Sequence, residues 1–166
     1  DPAVMAQLAA AAYENGLFDN VGVPFCMTVE AENMGAGVDL GDRYTEPRVT
    51  RYAVESVDQW EELHPLDPHQ GRANTVLEAL SLLRTRCPGA VLMGNLTGPI
   101  SVASSLVDAA RFYKELRKKP ENAHKVLDLV TDGLIAFGLA QIEAGAEFIT
   151  ISDPSGTGEI LGPKLF

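Results

Sequence analysis

The chain has 166 residues, 46% hydrophobic and 22% charged, enough apolar material for a substantial core and without the composition of a disordered segment. Its formal net charge of −10, with no block of like charges, argues against nucleic acid as a partner. No stretch approaches the roughly 18 uninterrupted apolar residues of a membrane span, and Cys26 and Cys87 stand apart from any metal-type spacing, which fits a reduced, cytoplasmic setting.

Residues 3–15 are rich in Ala, Leu and Met and are followed by Gly16, a helix with a glycine terminator. The apolar run VGVPFCMTV then reads as a buried strand of parallel type, ending in the polar stretch from Glu30 to Asn33. MGAGVDLGD, glycine-rich, reads as a loop, and PRVTRYAV as an extended edge piece. A short helix and a loop are expected around Trp60 and His64. Leucine spacing predicts a helix from Gly71 to Arg86, and AVLMGNL predicts a second buried strand. SVASSLVDAARFYKELRKK returns to helical periodicity until Pro120, with Arg117, Lys118 and Lys119 placed to cap its carbonyl end. The strongest helical pattern runs from Ala123 to Ala144, with Glu121 or Asn122 as its start, and Gly145 leads into a third buried strand, EFITIS. Helix and strand alternating through short connections make a parallel α/β fold.

Function in such folds gathers at the C-terminal ends of the strands. Those ends offer Cys26, Thr28, Glu30 and Glu32, then Asn95, Thr97 and Ser101, then Ser152, Asp153, Ser155 and Thr157. Asp153 either faces the mouth or caps the next helix or turn. Glu30 and Glu32 share a face if extended and diverge in a helical turn, so they make either an acid/base or cation-binding pair or two solvated acids; Glu30 is the better candidate and Glu32 the solvated one. Cys26 reads as a buried thiol near a strand end, and Cys87 as structural. His64, His69 and His124 read as surface or capping residues.

GNLTGPISVASSLVD after a strand, then KPENAHKVLDLVTDGLIAFGLAQIEAGAEFITISDP, then LGPKLF resemble the uroporphyrinogen decarboxylase superfamily in order and spacing. Within it, PFCMTVEAENMGAGVD is similar to the corrinoid-dependent methyltransferase branch. Alignment on Gly35 sets Cys26 where the decarboxylases carry the Asp that binds pyrrole nitrogens. The resemblance implies that residues 1–166 are the N-terminal portion of one (β/α)8 TIM-type barrel, a fold of roughly 250 residues, truncated before the C-terminal strands; the absence of an initial Met suggests a trimmed piece. It implies a methyltransferase moving a methyl group from methylcobalamin on a partner corrinoid protein to a small thiol such as coenzyme M. Zinc is implied for the intact enzyme, with its ligands outside this chain, so the chain alone is expected to bind none stoichiometrically. Asp153 and Glu30 are expected as catalytic groups, and Asn95, Ser155 and Cys26 around the substrate. Alternatives are a tetrapyrrole decarboxylase and a non-catalytic half-barrel binding module. An open barrel leaves a strand edge, so association with a second copy or with the missing part, or cover by PRVTRYAV, is expected.

Overall fold

A computed structural model describes residues 1–165; Phe166, the last residue of LGPKLF, lies outside the described residues. Helix α1 (Pro2–Glu14) begins where Asp1 accepts the amide hydrogens of Ala3 and Val4 through its carboxylate, and ends before Gly16, whose φ of 69° suits a residue without a side chain. Three parallel strands follow in the order β1 (Asn20–Val23), β4 (Val91–Thr97) and β5 (Phe148–Ser152), with β4 central. Between β1 and β4 run the short helix α2 (Val29–Asn33), strands β2 (Gly37–Asp39) and β3 (Arg48–Arg51), a 3-10 turn (Val57–Glu62) and α3 (Gly71–Arg86). Between β4 and β5 lie α4 (Pro99–Leu106), α5 (Ala109–Lys118) and α6 (Pro120–Ala144), and α7 (Gly158–Leu161) follows β5. The three strands with their helical crossovers form an arc of a (β/α) barrel. Val21, Val23, Leu92 and Leu96 join the core with Ala73, Val76, Leu80, Val126, Val130 and Phe137 of α3 and α6.

Several expectations give way. The apolar run after Asn20 stops being a strand at Val23, because Pro24 has no amide hydrogen for the ladder; Phe25 and Met27 are exposed in a loop, and Val29 already opens α2. Part of the glycine-rich segment is β2, which pairs antiparallel with β3, so PRVTRYAV completes a separate hairpin and covers no edge of the parallel sheet. The pattern from Ser101 to Lys119 is two helices, because Asp108 accepts the amide hydrogen of Arg111 at 3.0 Å and starts α5 afresh. Pro120 is the first residue of α6, where its missing donor costs nothing. Strand β5 is not buried here: Phe148 is 40% and Ile151 65% exposed. Among the described residues no helix is long and apolar enough to cross a membrane.

Candidate functional site

The C-terminal ends of β1 and β4 open onto a cleft of about 180 Å³ whose wall includes Cys26, Glu30, Asn95, Thr97 and Ser152. Three of the residues expected from the sequence, Cys26, Glu30 and Asn95, therefore meet in one place; Asp153 and Ser155 stand one loop away, behind Ser152.

Glu30 sits in the first turn of α2 and is 1% exposed. One carboxylate oxygen accepts the Thr97 amide hydrogen at 2.8 Å and the other the Thr97 hydroxyl at 3.0 Å, which ties α2 to the end of β4. Burial pushes its pKa above the usual carboxylate value, against the opposing pull of the Thr97 bonds and the more distant Arg72 charge. The helical turn points Glu32 elsewhere. Far from being a free solvated acid, it pairs with Arg72 of α3. The same guanidinium donates to Cys26 Sγ at 3.3 Å and to Thr28 Oγ1 at 2.8 Å, so one side chain clamps the whole loop from β1 to α2. Cys26 is accordingly a half-buried cleft thiol in that loop, not a core residue of a strand.

Asn95 of β4 reaches to both sides: its amide nitrogen donates to Pro24 O, the residue after β1, at 3.0 Å, and its oxygen accepts from the Thr150 hydroxyl of β5 at 2.6 Å. Asp153 takes the capping alternative, and the helix it caps precedes it in the chain. It accepts the amide hydrogens of Ile100 and Ser101, at 3.1 and 3.0 Å, and the Ser101 hydroxyl at 2.6 Å, where α4 exposes its unpaired donors. A further bond from the Gly156 amide, 3.2 Å, folds its own loop back. This packing requires Gly98, since a Cβ there would lie 2.2 Å from that of Asp153. The amide of Ser155 donates to Ser101 Oγ at 3.1 Å and brings the loop onto the same helix end.

Arg72 is the residue that sequence reasoning missed. It stands at a helix start, 40 to 46 residues from its partners, where nothing local marks it. His64, His69 and His124 are exposed and Cys87 is buried. Among the described residues no three His, Cys, Asp or Glu side chains come together to hold a metal.

The family model for uroporphyrinogen decarboxylase matches residues 1–166. A methylcobamide:CoM methyltransferase of Methanosarcina barkeri is 34% identical across the whole chain, and one of Methanosarcina acetivorans is 30% identical, also across all of it. A uroporphyrinogen decarboxylase of Mycobacterium leprae is 28% identical over 82% of the chain. A methyltransferase from Methanosarcina mazei superposes with a TM-score of 0.92 at 32% identity, covering all of this chain and 50% of that one, which makes the arc part of a TIM-type barrel. The chain spans about half the length of the curated methyltransferases it matches, 49% for the two named above. With the model matched from its first residue to its last, this chain belongs to the uroporphyrinogen decarboxylase family.

Proposed function

We propose that residues 1–166 form the N-terminal portion of a single (β/α)8 barrel domain in a methyltransferase, which moves a methyl group from a methylated corrinoid on a partner protein to a small thiol. The observation that carries this reading is the whole-chain likeness to methylcobamide:CoM methyltransferases, which exceeds the likeness to decarboxylases in both identity and extent. Coenzyme M is the acceptor in those relatives' names, and it is the thiol we assign here. Cys26 and Asn95 line the acceptor's cleft, and Glu30 supplies its ionisable group. Asp153 and Ser155 shape the adjoining wall by fixing the start of α4. Dependence on zinc, with ligands outside this chain, belongs to the same proposal, as do a cytoplasmic setting in which Cys26 and Cys87 stay reduced and self-association along the open sheet edge.

The test is a paired assay on the intact protein. Supplied with methylcobalamin and coenzyme M, it should form the methyl thioether, and supplied with uroporphyrinogen it should release no carbon dioxide. Decarboxylation without thiol methylation would place the protein in the other branch of the family.

A further inference from the structure

We infer that Arg72 is a positioning residue for the acceptor's cleft, holding from outside it the loop that forms one wall. The inference rests on the methyl transfer proposed above. Pro24, Phe25, Cys26 and Met27, which follow the end of β1, supply that wall, and Arg72 itself does not border the cleft.

The loop has little hold on itself. Among the described residues the backbone amides of Phe25, Cys26, Met27 and Thr28 donate to no other group, and the bond that reaches Pro24 O comes from the Asn95 side chain. Burial does not fix it either, since Phe25 is 60% and Met27 40% exposed. The helix that follows, α2, has five residues, too few to be stable by itself. Thr28 stands at its N-cap, where a threonine hydroxyl ordinarily accepts an amide hydrogen of the first turn. Here it caps no amide and accepts from Arg72 Nη2 at 2.8 Å instead.

Each nitrogen of the guanidinium takes a different acceptor: Nη2 holds Thr28, Nη1 holds Cys26 Sγ at 3.3 Å, and Nε pairs with Glu32. The support behind it is firm. Arg72 lies in the first turn of the sixteen-residue α3, whose Ala73, Val76 and Leu80 are in the core. Asn33, at the far end of α2, ties that helix to the segment before α3, donating to Asp67 O at 2.9 Å and accepting the Asp67 amide hydrogen at 2.8 Å. Glu30 ties α2 to β4. With α2 secured at those two points, the loop ahead of it is left to Arg72.

A released loop would visit arrangements in which the wall is absent, and the acceptor would have to select the competent one. Apparent affinity then falls by the fraction of time the wall is in place, while the occupied cleft has the same wall as before. The cost therefore appears in KM, and the chemical step at saturating acceptor keeps its rate.

The experiment compares the intact wild-type protein with Arg72→Lys. Lysine keeps a positive charge for Glu32 but offers one nitrogen where three are used. The KM for coenzyme M should rise about tenfold, as when the competent loop is populated about a tenth of the time, with kcat at saturating thiol unchanged. Maleimide labelling of Cys26, followed by peptide mass spectrometry so that Cys87 is counted apart, should quicken as the sulfur is released. Thr28→Val takes one acceptor from the same fork and should raise KM by a smaller factor. Because both changes act on one clamp, the double variant should have the KM of Arg72→Lys and not the product of the two effects. If Arg72→Lys does not fold, the KM and Cys26 labelling of Thr28→Val carry the test. An Arg72→Lys protein that melts lower but keeps the wild-type KM, one that loses kcat at unchanged KM, or a double variant whose effects multiply overturns the role of Arg72 and leaves the proposed function intact. A wild type that methylates no thiol overturns both.

Discussion

The two ends of the parallel sheet differ in a way that cleft size alone would misjudge. At the N-terminal ends of β4 and β5 lies the larger cleft, about 380 Å³, bordered by Arg84, Cys87, Leu92, Gly145 and Glu147. Its polar groups serve the backbone. The Glu147 amide donates to Leu92 O at 2.8 Å, and the Leu92 amide donates to the Glu147 carboxylate at 3.1 Å. Nearby, where α1 and α3 end, Glu14 and Arg86 make an exposed ion pair at 2.9 Å. The C-terminal ends hold half the volume, about 180 Å³, yet there a carboxylate is withdrawn from water and Asn95 ties β4 to β5 and to the loop that leaves β1. Burying an ionisable group costs stability unless it is fully bonded, so the withdrawn Glu30 marks the end of the sheet that has been shaped for something other than folding.

The largest way to break that contrast is Gly98→Ala. The added Cβ collides with the Asp153 Cβ, which is no flexible tip, and we expect a loss of about 3 kcal/mol in denaturant unfolding, at the upper end of overpacking effects. Asp153→Ala should follow at about 2 kcal/mol, since it strips the cap from α4 and leaves the Ile100 and Ser101 donors to water. At the opposite end Glu147→Ala should cost about 0.5 kcal/mol, because Glu147 is exposed and water can replace its one bond to Leu92. Equal losses from Asp153→Ala and Glu147→Ala would erase the distinction.

Titration sharpens the same contrast by sign. Glu30 has a folded pKa above its ordinary value of 4.5, so the stability it contributes is complete below 4.5 and is lost as pH rises through the higher folded value. Glu14 has its pKa lowered, first by the hydrogen bond from Arg86, so its contribution is present above 4.5 and is lost as pH falls through the lower value. Stability measured against pH for wild type, Glu30→Gln and Arg86→Ala should show the first substitution removing a decline toward neutral pH and the second removing a decline toward acid. The slope removed by Arg86→Ala should be the smaller, because that pair is exposed and screened.

Strands β4 and β5 and helices α1, α3 and α6 were legible because apolar runs of the right period end at Gly or Pro. The end of β1 was not, since Phe25, Cys26 and Met27 extend the apolar run although two of the three are exposed. The break at Asp108 carried a readable sign, an N-cap residue type within a helical pattern, but apolar periodicity on both sides hid it. At the site, Cys26 and Glu30 were found because they close the apolar run that overshoots β1, and Asn95 because it is the polar residue within the apolar run of β4; both signs are local. What each does depends on Thr97, Arg72, Pro24 and Thr150, which lie 46 to 71 residues away and meet them only through the sheet and the helix starts. The direction of the Asp153 cap was likewise hidden, because the helix it serves comes earlier in the chain, its Ser101 amide 52 residues before the carboxylate.

The contact between Gly98 and Asp153 also has a mechanical meaning. The loops that leave two neighbouring strands share one carboxylate, and the missing side chain at Gly98 lets them lie against each other. Neither can swing as a separate flap while that carboxylate stays in place. A molecule pressing on Ser155 transmits its push through the Ser101 hydroxyl to the axis of α4, and from there to α2 and α6, against which α4 packs. That side of the cleft is thus a stiff wall, braced by one carboxylate shared between two loops.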